Sequence, residues 1–355
     1  MIANKAPELL NLPGDGYNHR LKFVPEDFLV QEVLMPTLAA RPSEVHPYFL
    51  LRKRGFTTFQ AVRRLAEATG VDAKVVAYAG LKDEDAVTEQ HISVGADLPA
   101  ESVQSFNAAY EGKSEFIQVV SLGREGGAIR VGHLIGNAFR IAIRDLDEKL
   151  VARLASRRSS ELVFINYYDT QRFGVPGGPK TTHLIGDRLH AGAYDEALAL
   201  LRQSRAEEAL LAQSWSGRAE QFFCELDPRI VRLYYAAYSS YQWNTQLADS
   251  IAGEAGVQEL TRPPLKCLLT VEPRLLERIR QRALTHPLRR FSCAPGFPEV
   301  DPEVRPGLIQ ARIRVVEHGL DEFHQGRNKV TVEMFLPSGC YATMAINQFV
   351  TFCRY

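Results

Sequence analysis

Asp83 stands in a stretch whose side chains could do nucleophilic or acid–base chemistry: Gly80-Leu81-Lys82-Asp83-Glu84-Asp85-Ala86-Val87-Thr88-Glu89-Gln90. The run before it, Val75-Val76-Ala77-Tyr78-Ala79, has the composition of a short buried strand. A strand that ends in glycine and hands over to charged residues delivers them to the rim of a sheet, where a rigid scaffold commonly holds functional loops. An ionised carboxylate there can act as a nucleophile or as a base. The same four charged residues also fit a solvated turn, and spacing alone does not separate the two readings.

The flanking elements can be read from periodicity. Tyr48-Phe49-Leu50-Leu51 reads as an apolar strand, and Arg52-Lys53-Arg54-Gly55 as a basic turn after it. Thr57 and Gln60 have the spacing of a capping box, in which each side chain can satisfy a free backbone N–H of the other. Phe59, Val62, Leu65 and Ala66 then share one helix face, and Gly70 suits the helix end. Phe139, Ile141 and Ile143 alternate with Arg140 and Arg144, the pattern of a half-buried strand. Val330, Val332, Met334 and Leu336 alternate in the same way. Both ends of the chain therefore read as strand-rich.

The middle differs. Residues 194–203, 206–213 and 229–252 carry helical spacing, and Pro and Gly cluster at 175–179 and 294–306. This predicts a helix-rich lobe set between two halves of a strand-rich domain. Arg274, Arg278 and Arg282 fall on one helix face and suit either an RNA backbone or plain solvation. Tyr234, Tyr238 and Tyr241 read as core residues rather than as a stacking platform.

Composition narrows the class. The chain has 355 residues, 45% of them hydrophobic and 24% charged, with zero formal net charge. Those values are ordinary for a globular protein, and any nucleic-acid binding must use local patches rather than bulk charge. No apolar run is long enough to span a bilayer, and residues 1–8 lack the layout of a secretory signal. The five cysteines, Cys224, Cys267, Cys293, Cys340 and Cys353, form no C-x-x-C pair, which argues against a zinc site and a disulfide framework. A reducing cytoplasm is the expected location. Nothing suggests an exposed apolar interface, so a monomer is expected.

Five segments, in order along residues 21–343, resemble the TruD-type tRNA pseudouridine synthases. They are Leu21-Lys22 with Pro25-Glu26-Asp27-Phe28-Leu29-Val30-Gln31-Glu32; Tyr78 to Gln90; Gly136-Asn137-Ala138-Phe139-Arg140-Ile141; Asn166-Tyr167-Tyr168-Asp169-Thr170-Gln171-Arg172-Phe173-Gly174; and Leu336-Pro337-Ser338-Gly339-Cys340-Tyr341-Ala342-Thr343. The resemblance implies an α+β fold: a pseudouridine-synthase-like mixed, mainly antiparallel sheet with flanking helices, plus an inserted helix-rich α/β domain. It implies a discontinuous catalytic domain, 1–162 and 319–355, with the insertion at 163–318. The implied activity is isomerisation of uridine to pseudouridine in tRNA, at uridine 13 in bacterial members, without a cofactor or metal.

By the same resemblance Asp83 is the catalytic aspartate and Lys22 its cationic neighbour or a phosphate contact. Phe139 would stack on the target uracil, and Asn137 would bond the uracil edge or a ribose hydroxyl. Gln171, Arg172 and Phe173 would belong to an RNA-facing loop, while Glu26, Phe28 and Glu32 would brace the first strand. Lys82 could serve like Lys22, but adjacent residues of an extended segment point apart.

The sequence departs from the family pattern at three places. Glu84 and Asp85 stand where basic residues are usual, Asp169-Thr170 replaces Phe-Gly, and Asn347-Gln348 stands at an Arg-Glu pair. These differences bear on the RNA substrate more than on the reaction. Two other readings remain open from the residues. Asp83-Glu84-Asp85-Ala86-Val87 also fits the D-x-D motif of magnesium-dependent haloacid-dehalogenase-like phosphatases. The departures also allow a catalytically silent RNA-binding protein.

Overall fold

The structure is a computed structural model that describes residues 19–35, 45–130, 132–174, 178–262, 265–283 and 305–354. Residues 1–8, much of the two Pro/Gly clusters and Cys293 lie outside these residues.

In chain order the elements are β1 (Phe28–Leu34), β2 (Val45–Arg54), α1 (Thr58–Thr69), β3 (Val76–Tyr78), β4 (Val87–Val94), α2 (Ala100–Ala108), β5 (Phe116–Gly126), β6 (Leu134–Leu146), α3 (Glu148–Ser156) and β7 (Ser159–Ile165). There follow α4 (Thr182–His190), α5 (Tyr194–Arg202), α6 (Glu208–Ser214), α7 (Ala219–Glu225), α8 (Pro228–Asp249), β8 (Val257–Arg262), β9 (Leu265–Thr270), α9 (Pro273–Ala283), β10 (Leu308–Leu320), β11 (Asn328–Pro337) and α10 (Ala342–Arg354).

The chain divides into two compact units. One comprises His19–Glu161 and Ala311–Cys340; the other contains Leu162–Gln310 and Tyr341–Tyr355. Strands β7 and β10 each carry the chain from one unit to the other. Helix α10 falls in the helix-rich unit. Within that unit Gln348 of α10 donates its amide to the Thr270 carbonyl of β9 (2.9 Å).

The sheet runs β5-β2-β4-β1-β6-β11-β10-β7, with β3 added to β4. Strands β1 and β4 pair in parallel, whereas β1–β6, β2–β4, β2–β5, β3–β4, β6–β11 and β10–β11 are antiparallel. This is a mixed, mainly antiparallel α+β sheet. Alternation sets its faces: Phe139, Ile141 and Ile143 are buried, together with Val330, Val332, Met334 and Leu336. Helix α1 forms where its capping box predicts, with Gln60 N donating to Thr57 Oγ1 (3.1 Å) and Thr57 N donating to Gln60 Oε1 (2.8 Å). It ends at Gly70 with φ +73°, a conformation that favours glycine.

Two expectations need correction. Arg52-Lys53-Arg54 is not a turn; β2 continues through all three residues, and only Gly55 (φ +74°) turns. Arg144 is not on a wet face but buried, because carboxylates far away in sequence converge on it.

The helix-rich unit has its own core, in which Ile185, Leu189, Leu198, Leu201, Phe222, Phe223 and Tyr234 are buried together. Tyr238 and Tyr241 are only partly covered, so of the three tyrosines Tyr234 alone is fully a core residue. In α9 Arg274 and Arg278 are exposed, and Arg278 pairs with Glu254 (2.5 Å); the Arg282 side chain lies outside the described structure. No helix of the described residues is long and apolar enough to cross a membrane.

Candidate active site

The parallel pairing of β1 with β4 puts the starts of both strands side by side, Leu29 opposite Val87. The segment leading into β1 carries Lys22, and the loop leading into β4 carries Asp83. Their side chains meet: Lys22 Nζ donates to Asp83 Oδ2 at 2.6 Å and lies 3.5 Å from Asp85 Oδ1. The Lys22 ammonium also sits over the Phe28 ring, 4.5 Å from its centroid. Phe28 meets Phe139 edge-on, with centroids 5.9 Å apart. Lys22, Asp83, Phe28 and Phe139 therefore form one constellation within the sheet unit.

Lys22 has φ +56°, a left-handed conformation that costs a lysine roughly 1–2 kcal/mol. Such strain persists where surrounding contacts over-determine it, and it clusters at functional sites. Here the contacts are the ion pair and the aromatic face. The Lys22 side chain is 13% exposed and that of Asp83 26%. Among the described residues Asp83 Oδ1 makes no hydrogen bond, so the carboxylate is anchored by one oxygen and open at the other.

Lys82 points the other way, as its position next to Asp83 requires. It forms a buried pair with Glu32 (2.8 Å), and Glu32 also accepts the backbone N–H of His91 (2.8 Å). Burial pushes the Glu32 carboxyl up, but the bonds from His91 and the Lys82 ammonium outweigh it and hold the group below its usual range. Glu32 is thus a brace for β1.

Asn137 lies opposite Glu32 on β1 and Leu336 on β11. Its Oδ1 is buried and has no hydrogen-bond partner among the described residues. An unsatisfied buried acceptor is costly unless a donor arrives, so its presence two residues from Phe139 suits a binding role. Gly136 has a separate reason to be glycine, since a Cβ there would collide with the Leu336 backbone and the Phe335 ring. Phe139 is 8% exposed, so most of its ring is already packed.

Gln171, Arg172 and Phe173 belong to the helix-rich unit, in a single 3₁₀ turn capped by Asp169. Phe173 is fully buried against His183 and Tyr241, so its ring anchors the loop rather than facing solvent. Arg172 donates through Nε to Ser240 Oγ (3.2 Å), and its guanidinium lies over Tyr168. Gln171 and Arg172 are partly exposed. Asp169 accepts from the Thr170 backbone (2.7 Å) and from the Thr343 hydroxyl. Asn347 and Gln348 are buried in α10. Asp169, Asn347 and Gln348 are thus buried within this unit, whereas Glu84 and Asp85 stay partly exposed beside Asp83.

Sequence reading missed Lys53. It is 0% exposed, and its Nζ donates to the carbonyls of Lys82 (3.2 Å) and Asp83 (2.6 Å). Burial pushes its ammonium down to about 8, with Lys82 adding to the fall and Asp83, Glu84 and Asp85 opposing it. Its alternation with the outward Arg52 was the available signal.

The Lys22 ammonium, within reach of both Asp83 and Asp85, takes the place a metal ion would need in the phosphatase reading. Among the described residues no cluster of three His, Cys, Asp or Glu side chains is arranged to hold a metal.

Comparison with known proteins finds relatives of this chain. The chain is 32% identical over 276 residues to the probable tRNA pseudouridine synthase D of Thermococcus onnurineus, covering 66% of this chain and 62% of that protein. It is 32% identical over 268 residues to the tRNA pseudouridine synthase D of Syntrophotalea carbinolica, covering 65% and 63%. A solved chain from Methanosarcina mazei, described provisionally as tRNA pseudouridine synthase D (TruD), aligns over 94% of each chain with 20% identity and a TM-score of 0.49. The profile of the family described as tRNA pseudouridine synthase D (TruD) matches residues 8–213, and the chain belongs to that family. The aligned stretches span less than two thirds of the two relatives' own length.

Proposed function

We propose that this chain is a tRNA pseudouridine synthase that converts uridine to pseudouridine, at uridine 13, with Asp83 as its catalytic carboxylate. The observation that carries the proposal is the geometry of Asp83 in a chain of this family: one carboxylate oxygen held by Lys22, the other without a hydrogen-bond partner among the described residues. The reaction breaks N1–C1′, turns the base and joins C5 to C1′. N1 gains a proton and C5 loses one, so the conversion is an isomerisation and needs no redox partner. The free oxygen of Asp83 would act at C1′ or on the sugar while Lys22 holds the other.

The uridine must leave its stack to reach such a site. Phe139, backed by Phe28, would stack on the extracted uracil, an interaction of roughly 1–3 kcal/mol. Asn137 Oδ1 would accept the uracil N3–H. Gln171 and Arg172 would contact RNA, with Phe173 fixing their loop. In this reading residues 1–162 and 319–355 form the catalytic domain and 163–318 the insertion, and the protein works as a cytoplasmic monomer.

The test uses bulk tRNA labelled with [5-³H]uridine. Wild type should release tritium, and primer extension after carbodiimide treatment should stop next to uridine 13. Absence of release above background would sink the proposal. Release with a stop elsewhere would keep the reaction and replace the site.

A further inference from the structure

Alternation along β2 turns Arg52 outward and Lys53 inward. Lys53 pairs in register with Thr88, Thr88 with Val30, and Val30 with Phe139. Partners in register share a sheet face, so the Lys53 side chain rises on the face that carries Phe139. No carboxylate lies within ion-pair distance of its ammonium among the described residues; its hydrogen bonds go to the carbonyls of Lys82 and Asp83. Those carbonyls belong to the two peptide planes that meet at the Asp83 Cα. One atom thus holds both planes and, through them, the direction in which the Asp83 side chain leaves the backbone.

Neighbouring groups complete the clamp. Gly55 N donates to Glu84 O (3.1 Å), Lys82 N donates to Thr58 Oγ1 (3.0 Å), and Thr58 donates on to Gln90 Oε1 (2.8 Å). Gln90 Nε2 donates to Gly80 O (3.2 Å). These partners are neutral; Lys53 alone brings a buried charge. An unpaired buried charge opposes folding, and an apolar side chain between Ile117 and Thr88 would avoid that cost. A charge kept at such a place, beside a candidate catalytic group, points to function.

We infer that Lys53 is a positioning residue for the reaction, fixing the backbone of Asp83 while Lys22 fixes its carboxylate. The inference rests on the reading of Asp83 as the catalytic residue. Its ammonium is faced by Lys82, Asp83, Glu84 and Asp85 from the loop, with Lys22 reaching Asp83 from the segment before β1. Its partners in register on β4 and β5, Thr88 and Ile117, are uncharged. Loss of its proton near pH 8 weakens both bonds to the loop and lets Asp83 drift.

The experiment measures single-turnover tritium release from [5-³H]uridine-labelled tRNA by wild type and Lys53→Met across pH 6.5–9.5, with tRNA affinity measured in parallel. A small misplacement of a reacting group costs on the order of 10²-fold in rate, so Lys53→Met should lose about that much at pH 7 while its tRNA Kd stays within about twofold. The wild-type rate should fall above pH 8, and that limb should vanish in the variant. An active wild type with an equally fast Lys53→Met, or a limb unchanged in the variant, overturns the inference and leaves Asp83 standing. An inactive wild type instead overturns the reading of Asp83. If Lys53→Met does not fold, the wild type decides: a rate falling in step with the NMR titration of the Lys53 ε-ammonium supports the inference, and a rate flat to pH 9.5 overturns it.

Discussion

Two ionic sites in the sheet unit, each a basic side chain among carboxylates, are built to opposite ends. At Arg144 the guanidinium donates to both oxygens of Asp27 (2.9 and 2.8 Å), to Asp321 (2.8 Å) and to Glu322 (3.0 Å). The remaining lone pairs of Asp321 take the backbone N–H groups of Asp145 and Phe323 and the ring of His324. Burial lowers the Arg144 basicity, but these carboxylates overcome it and raise the group above its ordinary value. At Lys22 one ammonium is shared by two carboxylates, and among the described residues the second oxygen of Asp83 makes no hydrogen bond. A saturated cluster holds a fold together; an unsaturated one leaves a group able to react.

The comparison can be broken from either side. Asp83→Ala should abolish tritium release, a loss of roughly 10³-fold or more, equivalent to about 4 kcal/mol of barrier, while its urea midpoint stays near wild type. Arg144→Met should do the reverse. Stranding Asp27 and Asp321 should cost about 3–5 kcal/mol of stability, read as a large drop in urea midpoint, with activity surviving at low temperature. If Arg144→Met were as stable as wild type, the cluster would not be structural.

Lys22→Gly separates strain from chemistry. Glycine accepts φ +56° without the left-handed penalty. Loss of the ion pair and relief of strain should leave stability within about 1 kcal/mol of wild type, whereas release should fall about 10²-fold through loss of carboxylate positioning.

The smallest effect concerns the helix-rich unit. Burial drops His183 from 6.5 to about 4, with Asp187 opposing, and its ring stacks on Tyr241 (4.4 Å). A depressed folded value means the unfolded chain binds more protons between these limits. Stability present above pH 6.5 is therefore lost progressively as pH falls through 4. His183→Phe should flatten that part of the acid-unfolding curve relative to wild type; an unchanged slope would assign it to other groups.

Local patterns carried much of this structure. The Thr57/Gln60 box, the alternation around Phe139 and the helical middle each depend on neighbours in sequence, and each appears where the pattern puts it. The misreadings share a cause. Lys53 and Arg144 are charged, and charge alone predicts exposure. Their burial depends on backbone carbonyls 29 and 30 residues away and on carboxylates 117 and 177 residues away. Phe173 shows the converse, an aromatic in a motif segment whose ring goes to the core. The pairing of Lys22 with Asp83 bridges 61 residues, and only the resemblance, not spacing, drew those two together.

The most direct test of the central claim is single-turnover tritium release by Asp83→Asn, run beside its urea unfolding curve. The amide keeps the shape of the side chain and removes its charge. The account predicts no release above background with an unfolding midpoint close to wild type. Release within about tenfold of wild type, about 1.4 kcal/mol of barrier, would contradict it and send the search for the reacting group elsewhere.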